Sequence, residues 1–580
     1  NESPIIHTAM QKLFHGRSMF SFLAIILTAI SMALQSCASS GSDKDQIMFM
    51  YVDPLEKVLA EASYFTEKEA VSDVARGEHA TLQFIVRSMY PIKNLKVAVK
   101  QASDGNNSLP QAKTGFIGYV KVGRTIWDYS RDRIVSPSGY YPDPILEEES
   151  VDVSFGNTQP IWISIPVPGD AATGSYKGSV TITGLCRGKN FSVSRDYTVN
   201  VYPVTVDKKS LWVTNWFAID SRLELLSPGK TVSPFSEEHF ALIRILASKM
   251  AEYRQNVAII SPLALSECTY ENKKWKIDFT NFDKVVDIFI SEGVVGRIEG
   301  GHIGGRAGDW NSQFVVMVPN DTTDLPDKFD KLPITDPRAQ EFYRQFFADL
   351  KMHLGEKGWD KFYMQHIADE PTEQNFESYI QIARFVKSIV PDIPLIEACH
   401  SKNLGGILDI WVPQLDFMNA DYEFYNEQNK KGKEAWFYTC LSPKGEYANR
   451  FIELPLLKTR FVHWLNYKYE IPGYLHWGLN YWNKDPFGEQ TGIQYEGGNI
   501  LPGGDSWIIY PGNGKILSSI RYDAMRDGIV DYELLKMLEK KSPEKAKHLA
   551  DIIIYSFDRY DNNVEEFRIN RRKLLEALSE

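Results

Sequence analysis

Apolar and polar positions follow two different rhythms along this chain. Over residues 47–206 the apolar residues form short, β-branched and partly alternating runs, for example at 80–87 and 161–167. Clusters of turn-forming residues, such as the one at 104–107, separate these runs. Alternation with a period of two, bounded by turns, is typical of strands that bury one face. We therefore predict an N-terminal β-sandwich over residues 47–206.

From residue 210 onward, strand-length apolar runs alternate with longer amphipathic stretches. The eight candidate strands lie at 211–219, 257–261, 295–303, 361–368, 394–399, 408–412, 435–441 and 473–481. Amphipathic helices are predicted at 237–253, 281–291, 337–354, 376–389 and 451–464. Because right-handed crossovers leave few other ways to wind such a chain, the pattern predicts a parallel (β/α)8 TIM-like barrel with C-terminal helices over 210–580. The fold class is thus multidomain, β plus α/β.

Local signals refine this prediction at three points. Thr280-x-x-Asp283 has the spacing of a capping box, and Asp336 before Pro337 has the order expected of an N-cap followed by the first helical residue. The connection between the fifth and sixth candidate strands is too short for a full helix. We therefore expect a partly degenerate barrel there.

The N-terminal segment is predicted to be a targeting sequence and not part of the fold. Two basic residues precede an apolar run at 19–34, which is too short for a comfortable membrane span, and Leu-Gln-Ser then leads to Cys37. This order resembles a bacterial lipoprotein signal peptide over residues 1–37, with Cys37 lipidated after cleavage and 38–46 as a polar tether. An ordinary secretory signal or a short anchor is the alternative. We expect an outer-membrane lipoprotein that faces either the periplasm or the cell surface.

Charge and composition narrow the class of partner. The net charge is −11, the pI is near 5.6, and no long basic block occurs, which argues against nucleic acid or an anionic membrane surface as the main partner. Aromatic residues make up 13% of the chain and offer many stacking surfaces. We expect a neutral or weakly charged ligand, with membrane contact only through the N-terminal lipid; oligomeric state stays open.

The remaining cysteines show no metal or disulfide spacing. Beyond Cys37 they are far apart and form no Cys-x-x-Cys pair, so buried free thiols are predicted at Cys186, Cys268, Cys399 and Cys440.

Two adjacent acids, Asp369 and Glu370, follow the apolar run at 361–368 and precede Pro371. A buried strand that ends in carboxylates is where barrel enzymes keep their chemistry. The alternative is that the acids cap the following helix, since carboxylates are favoured at a helix N-terminus. Strand alternation also places the two acids on opposite faces, so both reach one pocket only if the pleat ends between them.

Further polar and aromatic residues accumulate at the predicted strand ends. We predict substrate contacts from Trp216, Asn256, His302, His366, Tyr438, Trp477, Asn480 and Trp482. For each aromatic residue core packing is the alternative. A spacing of three on a strand puts His366 and Asp369 on opposite faces, and no third ligand is suitably spaced, so a hydrogen-bonded core or rim histidine is preferred to a metal ligand at 366. No cofactor is predicted.

Three separated motifs resemble glycoside hydrolase family 123: HIADEP at 366–371, GGDSWIIYPG at 503–512 and SSIRYDAMRDGIVDYE at 518–533. The resemblance extends to GSYKG at 174–178 in the predicted sandwich. It implies a sandwich followed by a barrel, and a β-N-acetylgalactosaminidase that acts on terminal β-linked N-acetylgalactosamine, including that of glycosphingolipids. The adjacent Asp-Glu pair of the family falls on Asp369 and Glu370. Within the third motif, Arg521, Arg526, Asp527 and Asp531 are expected to anchor a long helix through ion pairs.

Adjacency of the two acids also suggests a mechanism. Neighbours in sequence cannot easily flank a sugar from opposite faces, as the two carboxyls of most glycosidases do. We expect the substrate's 2-acetamido group to be the nucleophile, with Glu370 as general acid and base and Asp369 orienting the acetamide. Configuration is then retained. The alternatives are a β-N-acetylglucosaminidase with the same mechanism and a surface glycan-binding lipoprotein without activity.

Overall fold

The computed structural model describes residues 47–123, 130–320, 328–490 and 501–580. The predicted signal peptide, Cys37 and the tether lie outside these ranges. Residues Phe49–Glu580 form one compact unit, which contains both the sandwich and the barrel. Among the helices of the described residues, none is long and apolar enough to cross a membrane.

The N-terminal region is a sandwich of two five-stranded sheets. In spatial order the first sheet contains Ile47–Val52, His79–Ser88, Thr158–Pro166, Lys113–Lys121 and Tyr140–Leu146. The second contains Val71–Arg76, Lys189–Thr205, Gly174–Cys186, Ile92–Ser103 and Val151–Val153. Alternating residues such as Phe84, Val180 and Val199 are fully buried, as expected of strands with one face in a core. The predicted sandwich is confirmed.

The barrel contains all eight predicted strands in shorter form. They are Trp212–Asn215, Val257–Ile259, Arg297–Glu299, Tyr363–Met364, Ile396–Cys399, Ile410–Pro413, Phe437–Thr439 and Gly473–His476. Ladder pairing is parallel throughout, and the eighth strand pairs with both the first and the seventh. An isolated parallel bridge joins the fourth strand to the fifth. The sixth strand pairs in parallel with Glu434–Ala435, directly before the seventh strand, and a further bridge joins it to the seventh strand itself.

Between the first and second strands a side chain makes the connection. The Asn256 side chain accepts from the Val213 amide over 2.9 Å and donates to the Leu211 carbonyl over 2.9 Å. The pairing therefore closes into a ring, and the carboxyl ends of all eight strands meet at one mouth.

Helices surround the ring. The longer ones are Glu237–Glu252, Thr280–Ser291, Pro337–Lys357, Phe376–Ile389, Tyr422–Lys430, Leu456–Lys468, Ile520–Lys541, Pro543–Ile553 and Val564–Ser579. Short helices occupy Pro262–Leu265 and Leu415–Ala420, and a 3₁₀ turn occupies Ser221–Leu226. Residues 400–409, all of which the structure describes, contain no helix, which confirms the degenerate connection between strands five and six.

Small β elements decorate the barrel. Hairpins are formed by Glu267–Glu271 with Lys274–Asp278, by Tyr510–Gly512 with Lys515–Leu517, and by Ile554–Ser556 with Arg559–Tyr560. After the third barrel strand a three-stranded antiparallel sheet is inserted, formed by Gly304–Arg306, Phe314–Pro319 and Phe329–Leu332. This insertion contributes to the site.

Of the two helix starts predicted from capping patterns, one is confirmed and the other is wrong. Asp336 caps its helix by accepting from the Arg338 amide, as predicted. The capping box at Thr280 is wrong, because Thr280 is already helical and its amide and hydroxyl both donate to Asp278. The helix predicted at 451–464 begins only at Leu456, after Pro455.

Buried ion pairs join the sandwich to the barrel helices. Arg521 donates to both oxygens of Asp143, at 2.7 and 2.8 Å, and both side chains are excluded from water. A hydrogen bond from Trp162 of the sandwich to Asp523 of the long helix, over 2.8 Å, adds to this junction. Asp531 accepts from Arg460 within the barrel helices. Arg521, Asp527 and Asp531 anchor the long helix through ion pairs, as expected. Among the described residues, Arg526 forms ion pairs only within the helix, with Asp523 and Asp527. Loss of one partner from such a buried pair typically costs about 3–5 kcal/mol.

The four described cysteines are all free thiols, as predicted. Cys186, Cys399 and Cys440 are buried, while Cys268 is partly exposed.

Candidate active site

The adjacent acids lie at the mouth of the barrel, just beyond the fourth strand. Glu370 has a φ of +50°, a left-handed backbone that non-glycine residues rarely adopt outside strained or functional positions. The strand has already ended at Met364, with a single bridge at Gln365, so strand alternation no longer applies to the two acids. The Asp369 side chain is 45% exposed and that of Glu370 17%. Both carboxylates therefore reach water at the mouth. The two side chains can thus share one pocket, although alternation along a strand would have put them on opposite faces.

Neither acid caps the helix that follows. That helix, Phe376–Ile389, has Asn375 as its N-cap residue, five positions beyond Glu370. The capping alternative is therefore wrong.

Glu370 is held by three cationic or hydrogen-bonding neighbours. His400 Nε2 lies 3.1 Å from Glu370 Oε1, and the Tyr438 hydroxyl donates to the same oxygen. Burial alone would raise the pKa of Glu370, but the bonds from His400 and Tyr438 and the nearby Arg306 charge outweigh it and lower the pKa. Burial raises the pKa of Tyr438 well above its usual range, so this hydroxyl stays a proton donor.

Asp369 has the opposite electrostatic surroundings. Partial burial and the charge of Glu370 raise its pKa to about 6, although His302 opposes the shift. His302 Nε2 lies 3.9 Å from Asp369 Oδ1. In the free protein a proton thus goes more readily to Asp369 than to Glu370.

A buried chain of charges lies beneath the pair. His366 is fully buried, with Nε2 2.7 Å from Glu299 Oε2 and Nδ1 2.8 Å from Glu397 Oε1. Desolvation disfavours its charged form, but the two carboxylates prevail and raise the pKa of His366 to about 10. His302 Nε2 lies 3.0 Å from Glu397 Oε1 and extends the chain to Asp369.

This network corrects one prediction and bears on a metal site. From its fully buried position His366 cannot contact a substrate, contrary to the prediction from sequence. The possible ligand atoms of His302, His366 and Glu397 lie within 4.8 Å of one another. Both His366 nitrogens, however, donate to carboxylates, and an imidazolium has no lone pair for a metal ion. The geometry is that of a hydrogen-bonded charge chain.

Three other predicted substrate contacts serve structural roles. Asn256 joins the first two barrel strands, as described above, at the start of the second strand and so away from the mouth. The Asn480 side chain accepts from the Ala218 amide over 2.8 Å and donates to the Ala218 carbonyl over 2.9 Å. Trp482 donates to the Ile509 carbonyl over 2.7 Å. The amides of Asn256 and Asn480 are taken up by the backbone, so their predicted substrate contacts are wrong, whereas contact with the Trp482 ring stays a prediction.

Of the remaining predicted residues, His302 and Tyr438 lie next to the acids, and Trp216 lies next to His302. Trp216 is 8% exposed, donates to Glu299 over 2.8 Å and meets the His302 ring edge-to-face at 5.4 Å. Trp477 is half-buried and donates to Asp505 over 3.1 Å. Contact of Trp216, His302, Tyr438 and Trp477 with a substrate stays a prediction.

Arg306 and Trp310 were missed by the sequence reasoning. Arg306 donates to the backbone carbonyls of Asp369 and Glu370, at 3.0 and 2.8 Å. It also stacks on the Trp310 ring, with its guanidinium carbon 3.7 Å from the ring centroid. A signal was present, because a glycine-rich segment with an arginine and a tryptophan follows the third predicted strand.

Asp505 lies in the GGDSWIIYPG motif, and the sequence alone indicated no role for it. It is fully buried, and burial raises its pKa to about 7. Its bond to Trp477 fixes the orientation of that ring at the mouth.

Comparison with protein families gives two matches along the chain. Residues 225–538 match the catalytic domain of glycoside hydrolase 123, and residues 59–184 match the glycoside hydrolase 123 N-terminal domain. No curated protein matches the sequence.

Among solved structures, a family 123 glycoside hydrolase from Clostridium perfringens is similar over 92% of this chain and 97% of its own. The TM-score is 0.70 at 16% identity, which establishes a shared fold. A GH10 xylanase from Thermobacillus composti aligns over 55% of this chain and 97% of its own, at 9% identity and a TM-score of 0.31. So low a score carries no argument about this protein.

Proposed function

Because the chain belongs to glycoside hydrolase family 123, and is thus a glycoside hydrolase, we propose that it removes terminal β-linked N-acetylgalactosamine from glycans, with retention of configuration. The observation that supports this most is the adjacent pair, Asp369 and Glu370, with both carboxylates at one barrel mouth.

The arrangement suits substrate-assisted catalysis. A conventional pair must place its two carboxyls on opposite faces of the sugar, at least about 5 Å apart. Asp369 and Glu370 come from consecutive residues at the end of one strand. In the proposed reaction the substrate supplies the missing nucleophile, the carbonyl oxygen of its own 2-acetamido group. Intramolecular attack of this kind can be worth about 7–11 kcal/mol through orientation.

The first step breaks one bond at the anomeric carbon and forms another. The acetamido oxygen attacks as the glycosidic bond breaks, and the proton of Glu370 passes to the leaving oxygen. Asp369 accepts the acetamide N–H and stabilises the positive charge of the oxazolinium intermediate. Water then attacks the anomeric carbon and gives its proton to Glu370, while the bond from that carbon to the acetamido oxygen breaks. The second displacement restores the original configuration.

Substrate binding must invert the proton preference of the free pair. In the free protein the pKa of Asp369 is raised to about 6 and that of Glu370 is lowered. A hydrogen bond from the acetamide favours the charged form of Asp369, and the nearby anionic Asp369 then favours the protonated form of Glu370. The acetamide thus selects the protonation state that the reaction needs.

The identity of the sugar and the rest of the substrate belong to the same proposal. The similar Clostridium perfringens structure is described in terms of glycolipid glycan hydrolysis. We propose glycosphingolipid glycans as one substrate class here. N-acetylglucosamine would engage the same two acids, because it differs only at the 4-hydroxyl.

Two measurements test the proposal. The nitrophenyl β-glycosides of N-acetylgalactosamine and N-acetylglucosamine should be compared, together with the galactoside that lacks the acetamido group. We expect fastest cleavage of the first, no useful cleavage of the last, and release of the β-anomer in a proton NMR time course. Release of the α-anomer, or equal cleavage of the galactoside, would refute the mechanism. Binding without turnover would favour a glycan-binding protein.

We further propose that Cys37 is lipidated and anchors the protein to the outer membrane. Support comes from the order of basic, apolar and cysteine positions up to residue 37. Metabolic labelling with a palmitate analogue should label the wild type and not Cys37→Ala. Equal labelling of both would exclude this site.

A further inference from the structure

Trp310 is an exposed aromatic residue in an unusually rigid setting. It lies between the strands Gly304–Arg306 and Phe314–Pro319 of the insertion after barrel strand three, and 48% of it is exposed. Its carbonyl accepts from Arg306 Nε over 2.8 Å and from Asn375 over 3.2 Å. The Arg306 guanidinium covers its ring at 3.7 Å. A single exposed tryptophan is unremarkable, but one fixed from two sides is prepared for a ligand.

The same arginine connects this ring to the reacting groups. Arg306 uses its three nitrogens to hold the Trp310, Asp369 and Glu370 carbonyls. Trp310 is therefore kept at a constant position relative to both acids.

The two acids have different neighbours, so the Asp369 side and the Glu370 side of the site can be told apart. Asp369 faces His302, with Trp216 beyond it. Glu370 contacts His400, whose ring lies 5.8 Å from Trp310 and 5.0 Å from Phe417. The aromatic group formed by Trp310, His400 and Phe417 thus lies on the side of Glu370.

We propose that Trp310 is the stacking platform for the leaving-group sugar. The inference rests on the proposed function, in which Glu370 protonates the glycosidic oxygen and the leaving group therefore lies on its side. A pyranose offers an apolar C–H face that matches the exposed tryptophan ring. Trp310 then sets a preference for N-acetylgalactosamine linked to a second sugar ring.

The test compares two substrates that differ in the leaving group. One is a disaccharide with β-linked terminal N-acetylgalactosamine, and the other is the β-glycosyl fluoride of the same sugar, whose leaving group has no ring. We expect Trp310→Ala to lower kcat/KM about tenfold or more for the disaccharide and less than about twofold for the fluoride. Trp310→Phe should restore most of the disaccharide activity. Tyr64→Ala, at an 89% exposed aromatic position in the sandwich, is the matched control.

Each other outcome has a definite meaning. A parallel loss with both substrates would show that Trp310 only braces Arg306 and the acids, and an unchanged disaccharide rate would show that it contacts no leaving group. Either result overturns the proposal while leaving the proposed function intact. A wild type that cleaves neither substrate would instead refute the proposed function, and this inference with it.

Discussion

Replacement of Glu370 by glutamine separates acid catalysis from every other role of this residue. The change is nearly isosteric, and the amide oxygen can still accept from Tyr438 and His400, which both contact Oε1. No cavity is created and no buried donor loses its acceptor, so the free energy of unfolding should change by less than about 1 kcal/mol. Any large kinetic effect is then chemical.

The size of that effect depends on the leaving group. General acid catalysis contributes about 10²–10⁴-fold, so kcat/KM for a disaccharide should fall by that factor in Glu370→Gln. A nitrophenolate needs little protonation, so its release should slow by no more than about tenfold. Water activation is also lost, so azide, which needs no deprotonation, should raise turnover of the nitrophenyl substrate and give the β-glycosyl azide.

Steady-state kinetics on both substrates, with product identification by NMR, test whether Glu370 acts as the acid and base. Glu373→Gln is the matched control, since this nearby carboxylate is exposed and bonds to Ser401 and Asn403. An equal loss on disaccharide and nitrophenyl substrates, or an α-glycosyl azide as product, would refute the acid and base role of Glu370.

Three further predictions address the other charges. Asp369→Asn should lower kcat/KM by at least about 10²-fold even with the nitrophenyl substrate, and near-normal turnover of the variant would contradict the oxazolinium scheme. In the wild type the reacting pair needs one proton, which the free protein loses from Asp369 as pH rises through about 6, so kcat/KM should fall above that pH. The pKa of His366 is raised from 6.5 to about 10, so the folded state is stabilised by protonation of this side chain. That stabilisation is fully present below about pH 6.5 and is lost as pH rises through 10. Denaturant titrations at pH 7 and pH 10 should show this loss, and it should be absent in His366→Gln. Arg521→Met leaves the buried Asp143 carboxylate without its cationic partner and should lower the free energy of unfolding by about 3–5 kcal/mol. Arg131→Gln, which removes a largely exposed ion pair, should lower it little. Equal losses in the two variants would contradict the conclusion that burial makes the Arg521 pair important.

Several features of the fold followed directly from the order of residues. The change from a period of two to alternating strand and helix lengths is a local property, and it predicted both the sandwich and all eight barrel strands. The position of Asp369 and Glu370 at the end of a buried run, before Pro371, is equally local. The short connection after the fifth strand could also be recognised from its length alone.

The site was predicted less completely. His366 and Asn480 were identified as strand-end residues, yet both are fully buried and form structural hydrogen bonds. Whether a strand-end side chain points to the mouth, the interior or the outer helices depends on the tilt and stagger of the closed ring, which no single segment specifies. Arg306 belongs to an insertion whose position over the acids is set by long-range packing.

By itself the sequence determined the element types, their order, and the presence of an acidic pair at the fourth strand, because these depend on neighbours a few residues apart. Only the tertiary structure decided how the pair works. The chain leaves the fourth strand before the two acids, and Arg306 holds the carbonyls of both at the mouth. The buried His366 between Glu299 and Glu397 sets the charge beneath them. These effects join residues up to about 70 positions apart, so they exist only once the barrel has closed.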